Sequence, residues 1–80
     1  MPTIMREGPY RFFFYSDEGD PREPPHIHAA SAGKVAKFWL DPVEFASSNR
    51  LRAHEIRDLG KLVERHRNMF LEAWRAHFDS

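Results

Sequence analysis

The sequence predicts an α+β domain: an antiparallel sheet of four to five strands with one long C-terminal helix packed on one face. Three observations carry this. Residues 1–46 break into short aromatic or alternating runs divided by Gly and Pro turns. Residues 53–78 repeat apolar side chains at helical spacing. The chain has 80 residues, 41% of them hydrophobic and 30% charged, with no cysteine. That length and balance fit one domain spanning residues 1–80, globular rather than disordered.

Thr3-Ile4-Met5-Arg6 is the first predicted strand, turned by Gly8-Pro9. Tyr10 to Tyr15 is aromatic and too short for a typical helix, so it reads as the second. Its alternation sets Tyr10, Phe12 and Phe14 on one face and Phe13 and Tyr15 on the other. Residues 17–25 are acidic and dense in Gly and Pro, which makes them a loop. His26 to Ala30 is the third strand, and Lys34 to Leu40, after the Gly33 turn, is the fourth. Asp41-Pro42 stops it. Val43 to Ala46 is a short fifth, and 47–52 a polar joint. From 53 to 78 the chain forms one long helix, or two nearly continuous ones. Ile56, Leu59, Val63, Phe70 and Trp74 share one arc, with Lys61, Glu64, Arg65, Asn68, Glu72 and Arg75 opposite. Gly60 is its weak point, costing about 1 kcal/mol relative to Ala.

Charge narrows the function. Lys+Arg and Asp+Glu number 12 each, so the formal charge is zero with neutral His. A polyanion binder driven by bulk charge is excluded, because counterion release needs a net basic surface. Without cysteine there is no disulfide, thiolate nucleophile or Cys-based zinc site. Together with the lack of a signal-peptide pattern or a membrane-length apolar run, this leads us to expect a cytoplasmic protein. The aromatic share is 14%, more than one small core obviously needs. The excess points to a homodimer or a partner protein.

His26 and His28 stand two apart in a strand and so share a face. Two imidazoles can be a hydrogen-bonded structural pair, a proton-transfer pair or two metal ligands. As acid and base they would cleave RNA if Arg11, Lys37 or Arg67 supplied a cation for the phosphate. Tyr15, Phe38 and Trp39 are the candidate binding aromatics. A metal reading would use His26 and His28 with a third ligand from Glu23, Asp41, His66 or His77, which no spacing requires. No cofactor motif is present. His66 and His77 fit helix-edge packing, and His54 a solvated position.

Arg-Phe-Phe-Phe-Tyr-Ser at 11–16, Glu-Pro-Pro-His-Ile-His at 23–28, Ala-Lys-Phe-Trp-Leu-Asp-Pro at 36–42 and Glu-Ala-Trp at 72–74 resemble a family of small bacterial proteins. That family is known as domain of unknown function 4160. Its motif falls on His26, His28, Lys37, Phe38 and Trp39. Family genes often lie beside another short gene, an arrangement similar to toxin–antitoxin pairs. The resemblance implies a protein-binding component of such a pair, with a homodimer or the neighbouring gene product as partner. The alternatives are a metal-independent ribonuclease-type toxin acting through His26 and His28, or a metal-binding protein using the same residues. The sequence departs from the family at Arg50 and Arg52. Relatives there tend to have Gly and then Ser or Thr, so the capping-box Glu55 loses its usual partner.

Overall fold

The computed structural model describes residues 3–15 and 23–78. Five strands form one antiparallel sheet in chain order: β1 (Thr3–Glu7), β2 (Tyr10–Phe13), β3 (His26–Ser31), β4 (Lys34–Leu40) and β5 (Val43–Asn49). Two helices follow, α1 (Ala53–Arg65) and α2 (Arg67–Phe78). Most of the predicted loop at 17–25 lies outside the described residues; Glu23, Pro24 and Pro25 lead into β3.

Tight turns fix the register. Gly8 has φ +57 and is followed by Pro9, which suits a two-residue hairpin with a positive φ at its first position. It pairs Glu7 with Tyr10 and Arg6 with Arg11. Ala32 (φ +48) and Gly33 (φ +80) close the β3–β4 hairpin. Positive φ at both central residues matches the twist of the flanking strands. Asp41-Pro42, a cis peptide bond, joins β4 to β5.

One sheet face is covered by both helices. Phe12, Phe14, Ile27, Ala29, Ala36, Phe38 and Leu40 meet Leu59, Val63, Phe70, Leu71 and Trp74 there, all buried. The Phe12 and Phe70 rings stack at 5.5 Å, and Trp74 meets Phe14 edge-on at 5.2 Å. α1 packs on β4 at Gly60, where a Cβ would meet the Phe38 ring at 3.5 Å. None of the helices among the described residues is long and apolar enough to cross a membrane.

Two expectations need correction. The C-terminal segment is two helices, not one long one. The break falls at His66 (φ −105, ψ 16) and not at Gly60. Hydrogen bonds still span it, from the His66 amide to the Leu62 carbonyl and from the Phe70 amide to the His66 carbonyl. Arg67, the first residue of α2, donates from Nε to the Leu40 carbonyl at 3.0 Å, which anchors the new helix to the end of β4. The second correction is β5, which runs to Asn49 instead of ending at Ala46. Ser47, Ser48 and Asn49 pair with Lys37, Ala36 and Val35 after a bulge, so the ladder is extended by the length of β4.

Candidate functional site

The helices leave the second sheet face open. Alternation sets Arg11 and Phe13 of β2, His26 and His28 of β3, and Val35, Lys37 and Trp39 of β4 toward it. His28 lies between Phe13 and Lys37 in the register, and His26 lies opposite Trp39. Tyr15 follows β2 and folds over the same patch.

Three rings form the floor. Phe13 stacks on His28 at 5.5 Å, Tyr15 meets His28 edge-on at 4.8 Å, and Phe13 and Tyr15 meet edge-on at 5.3 Å. Phe13 is buried and His28 is 8% exposed, whereas Tyr15 is 43% exposed. Two adjoining depressions share Tyr15 and Val35 as a wall. One, of about 400 Å3, is lined by Arg11, Phe13 and Ser31 among others. The other, of about 290 Å3, is lined by His28, Lys37, Ser47 and Asn49 among others. Among the described residues no carboxylate lines either one.

Arg11 and Lys37 are held in place on this face by ring and polar contacts. The Arg11 guanidinium lies 4.5 Å from the Phe13 ring centre and donates to Thr3 Oγ1 at 3.5 Å. Lys37 sits 4.5 Å above the Trp39 ring and pairs with Glu23 at 3.4 Å.

His26 is fully buried at the end of β3, where Trp74 also reaches it, at 4.8 Å between ring centres. His26 and His28 are 5.2 Å apart, edge to face. Nδ1 of His26 donates to the Pro24 carbonyl at 3.0 Å. A carbonyl oxygen only accepts, so Nδ1 carries hydrogen, and Nε2 is the acceptor nitrogen of the neutral ring. The Pro24-Pro25 entry thereby aims the imidazole. Among the described residues no group of three His, Cys, Asp or Glu side chains is arranged to hold a metal. The third-ligand candidates are placed elsewhere: Glu23 on Lys37, Asp41 on Arg67, His66 at the helix break, and His77 beside Phe14 and Phe78.

Two sequence-selected residues lie apart from the open face. Phe38 is 2% exposed on the helix-covered face, because it alternates with Lys37 and Trp39. Arg67 binds the Leu40 carbonyl and, at 2.7 Å, Asp41, so its guanidinium ties α2 to the β4–β5 turn. Arg11, Tyr15, His28, Lys37 and Trp39 are brought together. Sequence reasoning missed Arg6, which the Gly8-Pro9 hairpin sets directly across from Arg11. The two arginines flank that turn symmetrically, and this was the available signal. It also missed Ser47 and Asn49, because β5 was expected to be shorter.

On the helix side, Glu55 links three elements. Its carboxylate accepts from the Arg52 amide at 3.1 Å and from Lys34 at 3.0 Å. Those hydrogen bonds, led by the backbone one, hold its pKa below the ordinary glutamate value. The reciprocal capping bond is missing, since a guanidinium has only donors. Tyr10 donates to Glu55 at 3.4 Å, and burial together with the Glu55 charge raises the phenol pKa.

The family model Domain of unknown function (DUF4160) matches residues 10–75. The chain belongs to this family. The DUF4160 match runs from β2 into α2 and takes in every site residue selected from the sequence that lies on the open face; Arg6 falls outside it. No curated protein and no solved structure matches the chain.

Proposed function

We propose that this DUF4160 chain is a protein-binding module, one component of a toxin–antitoxin-like pair, that docks its partner on the open sheet face. The observation carrying the reading is the sheet face opposite the helices, where exposed Tyr15 packs against Phe13 and His28 between two depressions. An exposed aromatic anchor with flanking cations has the make-up of an interface centre. The sheet edges are less suited to docking. The register shifts in β1 between Thr3 and Met5, and beside β5 between Lys37 and Phe38; bulges of this kind blunt an edge against strand addition. The partner is a second copy of the chain or the small protein encoded by the neighbouring gene.

Co-expression of the tagged chain with that neighbour, followed by size-exclusion chromatography, tests the reading. The native chain co-elutes with the neighbour or runs as a dimer, and a Tyr15→Glu variant of unchanged circular dichroism does neither. A monomer that ignores its neighbour, or complex formation untouched by Tyr15→Glu, would refute it.

Proximity of the two imidazoles, with Lys37 on the next strand, supports a second reading as a ribonuclease-type toxin. Burial of His26 weighs against it, since general acid–base catalysis needs contact with the substrate. Growth arrest on inducing the native chain, absent for an equally folded His26→Ala/His28→Ala variant, would favour this reading. Equal growth of the two would end it.

A further inference from the structure

We infer that the β1–β2 corner of the open face binds carboxylates, so that the docking partner presents an acidic segment there. The inference rests on the docking reading and names its chemistry. Arg6 and Arg11 are register partners on neighbouring strands, and both side chains stand on the open face. Like charges directly opposed across a ladder are unfavourable by themselves, and an anion between them reverses the sign. Among the described residues no carboxylate is ion-paired with either guanidinium; the three ion pairs present use Lys34, Lys37 and Arg67. Arg11 is held in place by the Phe13 ring and Thr3, so one planar fork is already oriented beside the larger depression. A planar guanidinium matches a carboxylate with two parallel hydrogen bonds.

The number and setting of the cations favour a peptide over a nucleic acid strand. Two arginines suit two or three carboxylates, whereas tracking a phosphate backbone calls for a basic groove. The depression beside Arg11 is walled by Phe13, Ala30 and Val35, with Ser31 at its rim, a surface suited to side chains between acidic residues. Lys37 at the far end is already balanced by Glu23, so among the described residues of this face Arg6 and Arg11 are the cations without an ion pair.

A nitrogen-15 NMR titration tests this with three probes: a blocked hexaglutamate peptide, a blocked hexaserine peptide and a hexauridylate RNA. Hexaglutamate alone is expected to shift amides of β1, β2 and the β3–β4 turn in a saturable way. Arg6→Ala/Arg11→Ala should weaken that binding at least roughly tenfold, the loss expected for one charge-assisted contact. No saturable shift, equal shifts in the double variant, or tighter binding of hexauridylate would overturn the inference. The co-expression assay separates the two claims. If the double variant keeps its partner while Tyr15→Glu loses it, the acidic-segment inference falls and the docking reading stands. If neither change matters, the docking reading falls as well.

Discussion

Replacing Arg67 with Ala tests a cation that the structure uses as a tie between α2 and the end of β4. In the native chain Nε of Arg67 donates to the Leu40 carbonyl at 3.0 Å, and Nη2 meets Asp41 at 2.7 Å. Leu40 itself is fully buried. A hydrogen bond from a charged donor contributes about 1.5–3 kcal/mol, and removing that donor leaves the carbonyl poorly satisfied. The Asp41 pair adds little, because the Asp41 side chain is 58% exposed and exposed pairs contribute about 0–1 kcal/mol. Arg67→Ala should therefore cost about 2–3 kcal/mol, a fall in Tm of about 10–20 °C for a domain this size. Asp41→Asn should cost under about 1 kcal/mol, and salt should barely change the Arg67→Ala cost, since only the exposed pair is screened. Urea denaturation at low and high salt measures all three. Equal costs for Arg67→Ala and Asp41→Asn would refute the carbonyl-anchor account, as would a cost for Arg67→Ala below about 0.5 kcal/mol.

Glu55→Gln should flatten the acid limb of the stability curve. A carboxylate with a lowered folded pKa stabilises the chain above its unfolded value, near about 4.3, and that contribution fades as pH falls through the lower folded value. Melting curves from pH 7 down to 3 would show native and variant chains converging at the acid end. Gly60→Ala should stabilise by about 0.5–1 kcal/mol, since Ala is the better helix former and its Cβ meets Phe38 at an ordinary 3.5 Å; a lower Tm would mean that α1 has to move. Ala32→Asn should raise stability by about 0.5–1 kcal/mol, because φ +48 suits Asn better than Ala. A thermal melt of that variant with no gain would show that the turn is not strained.

Much of the sheet was legible because punctuation and alternation agree. Gly8-Pro9, Gly33 and Asp41-Pro42 sit at the three tight turns, and the runs between them became β1 to β4. Which face the helices cover was not legible from Tyr10–Tyr15, where both faces are aromatic. It was legible from β4, where Lys37 marks one face and Ala36, Phe38 and Leu40 the other. That pattern should have kept Phe38 out of the binding set. The sequence left open two nearly continuous helices, but the place of the break was not legible, since neither Pro nor Gly stands at 66. A long-range bond from Arg67 to Leu40 anchors the second helix there, and no local pattern encodes it. Ser47 to Asn49 read as a joint because their types have little strand preference. Pairing with β4 overrides that preference.

The sequence singles out His26, His28, Lys37 and Trp39 together, and the structure separates their surroundings. His26 is sealed between Trp74, Trp39 and His28 and tied to Pro24, a setting that fixes backbone and ring together. His28 underlies Tyr15, with Phe13 stacked beside it. On the docking reading, the histidines act through Tyr15. A ring packed against two neighbours loses little further freedom when a partner closes on it, so the floor lowers the entropic cost of binding. Trp39, Trp74 and His28 around it keep bulky substrates off His26. What the fold leaves accessible beside the buried imidazoles, the tyrosine over His28 and the arginines of β1 and β2, accordingly carries the docking proposal.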